Sequence, residues 1–137
     1  MFARWMINAV FLLISIPLHS QIGYSDPKQV DSLWQALDTT SSNREVTQIA
    51  DRLLQLMDTT VYSLKLYDIY YRKGLSHQNA GDFPRALYSQ QAANRIARSM
   101  GDSFLIAQSR YRIGTIQYDQ DLNESAREQY EKVIRTF

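Results

Sequence analysis

An all-α array of helical hairpins laid side by side is the fold class this sequence predicts, and three observations predict it. The first is internal repetition. Tyr71-Arg72-Lys73-Gly74 returns forty positions on as Tyr111-Arg112-Ile113-Gly114, and Ala86 and Arg95 return at the same offset as Ala126 and Arg135. Self-similarity at a fixed period of a few tens of residues marks stacked-unit proteins, in which no single unit can bury its apolar face alone. The second is composition: five glycines and three prolines in 137 residues leave little material for the closely spaced turns of a β-sandwich. The third is spacing, since apolar residues recur at intervals of three and four through most of the chain.

The elements follow in order from local signals. Arg4 supplies a short positive start, Met6 to Ile16 is an apolar run, Pro17 breaks it, and Ser20 places a small residue before Gln21. That run is too short to cross a hydrocarbon core, which takes about 20 residues, so residues 1–20 read as a cleaved secretory signal rather than a retained anchor. Its Ser-Gln ending resembles signal peptides of Bacteroidetes-type bacteria, which implies export to the periplasm. Asp26-Pro27 then caps and opens a helix with Val30, Leu33, Trp34 and Leu37 on one face. After Thr39-Thr40-Ser41-Ser42, Asn43 is expected to cap a second helix carrying Val46, Ile49, Ala50, Leu53, Leu54 and Met57. Asp58-Thr59-Thr60 is expected to stop that helix and cap a third, running to about Asn79. Gly81-Asp82 turns the chain into a fourth helix, with Pro84 in its tolerant first turn. Gly101-Asp102 gives a glycine stop and an aspartate cap in succession. The fifth helix repeats Phe104, Ala107, Tyr111, Gly114 and Tyr118, and Asn123 is expected to cap the sixth, with Ala126, Tyr130 and Val133. Six helices make three antiparallel pairs: residues 21–60, 61–100 and 101–137.

Packing explains the repeated small residues. Gly74 and Gly114 allow close approach within a hairpin, where the helical penalty of glycine, roughly 0.5–1 kcal/mol, must be offset by contact. Ala86 and Ala126 are the matching small residues of the second helices. Tyr67, Tyr70, Phe83, Tyr88, Phe104 and Tyr130 are expected to fill the spaces between pairs.

With these residues in place the chain resembles the tetratricopeptide repeat family. The resemblance is clearest in Gly74, Gly81-Asp82-Phe83, Ala86 and Ala93, and a second copy runs through Gly114, Ala126 and Tyr130. That copy departs at the turn, where Asp121-Leu122-Asn123 replaces Gly-Asp-aromatic. Lys73, Arg110 and Gln117 stand where the family has apolar or aromatic residues. The period of forty resembles the family's longer variants. The resemblance covers residues 61–137 well and 27–58 weakly. It implies a right-handed superhelical solenoid whose concave groove, lined by the first helix of each pair, holds a peptide or protein. Carried onto this chain, the groove comprises Asp68, Tyr71, Leu75, Gln78 and Asn79 in one pair and Gln108, Tyr111, Thr115, Tyr118 and Asp119 in the next.

Charge and chemistry narrow the function. The formal charge of +1 gives no global attraction to nucleic acid. Residues 61–100 carry six basic side chains against Asp68 and Asp82, a local +4, while residues 26–60 carry three basic and six acidic ones, a local −3. The middle pair could therefore steer an acidic partner. No cysteine is present, so disulfides and thiolate metal sites are excluded. His77 has no second histidine one turn away, and no phosphate loop, serine elbow or metal-ligand string occurs. The expectation is a non-catalytic, exported scaffold binding protein or peptide, without cofactor or metal. The alternative is the extracytoplasmic input region of a membrane-bound sensor kinase or regulator. The last helix reaches Phe137 still apolar on its inner face, which predicts further chain or self-association through the last pair.

Overall fold

The computed structural model describes residues 26–137, so the segment read as a secretion signal lies outside the described residues. Six helices follow one another: α1 Pro27–Thr39, α2 Asn43–Leu56, α3 Leu64–Asn79, α4 Phe83–Met100, α5 Ser103–Asp119 and α6 Asn123–Ile134. Among the described residues there is no strand. The expected all-α class is the one observed. Each helix packs on the next, and α3 also touches α5.

Helix starts follow capping chemistry, with three departures from expectation. Asp26 accepts from the Lys28 N–H with Pro27 opening α1, and Asp82 and Asp102 accept from the N–H groups of Arg85 and Leu105. The cap of α2 is Ser42, not Asn43: its Oγ accepts from the Glu45 N–H. The Ser42 N–H in turn donates to Thr40 Oγ1, which donates to the Glu45 carboxylate. Ser42-x-x-Glu45 is thus a variant of the capping box, with Thr40 as relay. The cap of α3 is Ser63, whose Oγ accepts from the Leu66 N–H. Asp58 cannot cap it, because its carboxylate already accepts from both the N–H and the hydroxyl of Thr60. That closed turn follows α2 and leaves Val61 and Tyr62 outside any helix before α3 begins.

Before α6, Leu122 occupies the cap position with no side-chain hydrogen bond, and Asn123 is already helical. The turn itself nevertheless repeats the one before α4. Asp121 takes φ +61°, forty positions after Gly81 at φ +76°. Leu122 N–H returns to Gln117 O as Asp82 N–H returns to His77 O. Aspartate is among the few residues that tolerate the left-handed region, so it can stand in for glycine here.

The core has two parts. Leu37, Ala50, Leu53 and Ile69 join α1 and α2 to α3, while Leu66, Tyr67, Ala93, Ile96, Ala97 and Leu105 join α3, α4 and α5. Leu54 packs against both. Burying each such Leu or Ile contributes about 1.5–3 kcal/mol. Gly74 lies under the side chain of Gln90, which is wholly buried, and Gly114 lies under the ring of Tyr130. Ala86 and Ala126 are both enclosed.

Not every expected aromatic is interior. Tyr88 and Phe104 are 62% and 63% exposed, and Tyr111 and Tyr118 also face outward. On α5 the buried residues are Leu105, Ala107, Ser109, Ile113, Gly114 and Ile116. They span more than half the circumference because α4, α6 and α3 all pack on this helix. The stripe of threes and fours from Phe104 to Tyr118 runs along the border of that arc: its small members Ala107 and Gly114 are covered, its large ones are not.

Candidate functional site

Three hydrogen bonds of equal offset tie α3 to α5. Tyr67 Oη donates to Gln108 Oε1 at 2.9 Å, Arg112 Nε donates to Tyr71 Oη at 3.0 Å, and Gln78 Nε2 donates to Asp119 Oδ2 at 2.8 Å. Each spans forty-one positions. A constant difference in residue number requires the two helices to run parallel and in register; antiparallel helices would hold the sum constant instead. Gln78 also reaches Thr115 Oγ1, and Tyr67 the Leu105 carbonyl. The Arg112 guanidinium lies over the rings of both Tyr71 and Tyr111. One pair earlier, Arg72 bridges Asp68 on its own helix and Asp38 on α1. Both arginines of the repeated Tyr-Arg therefore reach back to the preceding odd-numbered helix.

The ten residues assigned to a groove are thus only partly brought together. Gln78, Thr115 and Asp119 bond one another, Tyr71 and Gln108 are taken by Arg112 and Tyr67, and Asp68 is held by Arg72. Leu75 is half-buried and Asn79 exposed at the end of α3. Tyr111 packs its ring against Tyr130, with centroids 5.7 Å apart. Tyr118 opens onto a separate cleft beside Ala126, Arg127 and Tyr130.

An open cleft of about 410 Å³ lies where α1, α3 and α5 converge, lined by Trp34, Leu64, Lys65, Tyr67, Asp68, Tyr71, Leu105 and Gln108. Its base is Tyr67 and Leu105, 3% and 8% exposed. Tyr67 and Tyr71 stack with ring planes 16° apart. Trp34 forms the α1 wall with the Lys65 ammonium over its ring, and Leu64 stands open at the rim. Burial pushes the Tyr67 phenol well up, with Tyr71 adding to the effect, so its hydroxyl stays a donor to Gln108. Gln108, which lines the cleft, has Oε1 taken by Tyr67, and its amide N–H groups have no partner among the described residues. The Trp34 indole N–H is buried without an acceptor among the described residues.

Sequence spacing missed Trp34, Leu64, Lys65, Tyr67 and Leu105. Leu64 and Tyr67 lie one turn before Asp68 and Tyr71 on the same face of α3, a signal that was available. Trp34 was not separable from core by its spacing.

The cleft is apolar with donors at its edge, which suits a bulky aliphatic or aromatic group attached to a carbonyl-bearing backbone. It contains no paired acid and base. His77 is half-buried elsewhere on α3, and burial holds its pKa below the ordinary imidazole value. Among the described residues no group of three or more His, Cys, Asp or Glu side chains could hold a metal ion. No family model, no curated protein and no solved structure matches this chain.

Proposed function

We propose that the chain is a non-catalytic module of tetratricopeptide-like helix pairs, and that its Trp34–Tyr67–Tyr71 cleft receives a bulky apolar side chain of an extended peptide. The observation that carries the reading is the cleft's composition: three odd-numbered helices contribute walls, so it exists only when the pairs are stacked. The parallel register of α3 and α5 supports the same stacking, as a solenoid requires. Gln108 would hold a backbone carbonyl while the tyrosines and Trp34 cover the side chain. The N-terminal pattern of residues 1–20 supports export, so the partner would be met outside the cytoplasm.

Selection of a random peptide library against the full chain tests this. Enriched peptides should share one large apolar residue and should alter Trp34 emission, read against a Trp5→Phe background. Leu64 is 59% exposed, so Leu64→Asp should leave helicity unchanged. It should weaken binding about tenfold, an anchor-sized loss of about 1.4 kcal/mol. Gln108→Ala should also weaken it. A library with no enrichment, or binding untouched by both substitutions, would refute the cleft.

A further inference from the structure

A further and smaller cleft, of about 140 Å³, opens on another side of α3. Its apolar floor is Leu66, Ala92 and Ile96, all buried. Around that floor stand Thr59 from the loop after α2, Tyr62 from the same loop, Tyr70 from α3 and Arg95 from α4. The space holds roughly four or five waters at about 30 Å³ each.

The chemistry of this rim is one-sided. It brings together three hydroxyls and a guanidinium, and among the described residues no carboxylate lines it. Arg95 takes part in none of the seven ion pairs among the described residues. Of the nearby acids, Asp51, which acts on Tyr70, is held by Lys73, and Asp58, next to Thr59, by Thr60. Burial pushes the Tyr70 phenol up, with Tyr88 adding to the effect and Arg95 opposing it, so Tyr70 remains a protonated donor. A guanidinium offers its N–H groups in a plane, while the hydroxyls approach from the loop and from α3. Donors arriving from three elements match an anion with oxygens in three directions better than a flat carboxylate.

We propose that this cleft binds a tetrahedral oxyanion, a phosphoryl or sulfuryl group, with Arg95 supplying the charge and Thr59, Tyr62 and Tyr70 bonding its oxygens. Free inorganic ion and an ester carried on a larger molecule share this chemistry; the apolar floor favours the ester. The site stands whether or not the Trp34 cleft holds a peptide, since the two use different faces of α3.

Titration of the isotopically labelled full chain tests it, at constant ionic strength, with inorganic phosphate, phenyl phosphate and acetate as probes. Saturable shifts are expected at the amides of Thr59, Tyr62 and Ala92 and at Arg95 Nε, with a Kd on the order of a millimolar for phosphate. Tighter binding of phenyl phosphate assigns the ester as the natural form, and equal binding assigns the free ion. Arg95 is exposed, so Arg95→Gln should keep the fold and weaken binding at least tenfold. Tyr70→Phe should weaken it severalfold. Arg98→Gln, on the same helix but off the cleft, should change it less than twofold. Shifts that fail to saturate would overturn the site, as would equal losses for Arg95→Gln and Arg98→Gln, or acetate binding as well as phosphate.

Discussion

At Gly74 a methyl group would lie 2.5 Å from Gln90 Nε2 and 2.9 Å from both Cδ and Cγ of that side chain. Gln90 is wholly buried and its Nε2 donates to the Tyr71 carbonyl, so it has nowhere to move. Overpacking of this kind destabilises by about 1–3 kcal/mol, more than the roughly 0.5–1 kcal/mol that alanine gains in a helix. At Gly114 the obstacle is the edge of Tyr130, 2.7 Å away, but that ring is half-buried beside an open cleft and can swing outward. Gly74→Ala should therefore lower the unfolding free energy from urea titration clearly, while Gly114→Ala should leave it within about 0.5 kcal/mol of the parent. The two glycines were legible in the sequence as points of close approach, but their partners were not. Gln90 and Tyr130 also stand forty apart, yet an amide and a phenol share no side-chain class that spacing could match. His77 gives a residue-scale prediction in pH. Burial is the main cause of its lowered pKa, with Asp82 opposing and Lys73 and Arg85 adding. Between its folded pKa and the ordinary 6.5, the unfolded chain binds more protons than the folded one, so stability rises with pH across that window and is level above it. Unfolding midpoints of the parent should fall more than those of His77→Gln as pH drops below 6.5; parallel curves would remove His77 as the cause.

Between elements, the bond from Arg112 to Tyr71 is the central of the three ties holding α3 and α5 in register. The guanidinium also covers the Tyr71 ring, so the pair combines a hydrogen bond with a cation–π contact. A double-mutant cycle with Tyr71→Phe and Arg112→Met should give a coupling of about 0.5–1.5 kcal/mol in unfolding free energy. A coupling near zero would mean that apolar contact alone sets the register. Element order and the use of turns were readable from capping residues and period, because those signals are local. Cap identity was less so. Asp58-Thr59-Thr60 and Ser63 carry the same oxygen chemistry, and only the hydroxyl and N–H of Thr60 closing on Asp58 decide which of them starts α3. The tyrosines show the same limit. Tyr71 and Tyr111 occupy equivalent turns, but Tyr71 has α5 beside it, while Tyr111, about half exposed, meets Arg112 and Tyr130. A helix in an array is flanked on two or three sides, so a periodic stripe locates a face without saying which neighbour covers it.

Across the whole molecule, the two parts of the core divide the chain into an α1–α2 pair and the remainder, with α3 as the shared wall. Ile69 is the residue of α3 that enters the first part, fully buried among Leu37, Ala50 and Leu53. Leu54, the Lys65 ammonium over Trp34, and Arg72 and Lys73 bound to Asp38 and Asp51 also link across that boundary. Those ion pairs have exposed carboxylates and contribute little, so apolar contact must hold the first pair in place. Ile69→Ala should cost about 2–5 kcal/mol, as large-to-small core changes do. In a stacked array the loss should fall on one boundary rather than on the whole chain. Hydrogen exchange should show α1 and α2 losing protection while α4, α5 and α6 keep theirs. The cleft should go with them, because Trp34 is its α1 wall: peptide binding should fall in the same variant, and oxyanion binding at Arg95 should persist. Uniform loss of protection from α1 to α6 would show instead that the chain unfolds as one cooperative unit, and that the two clusters of buried side chains are energetically a single core.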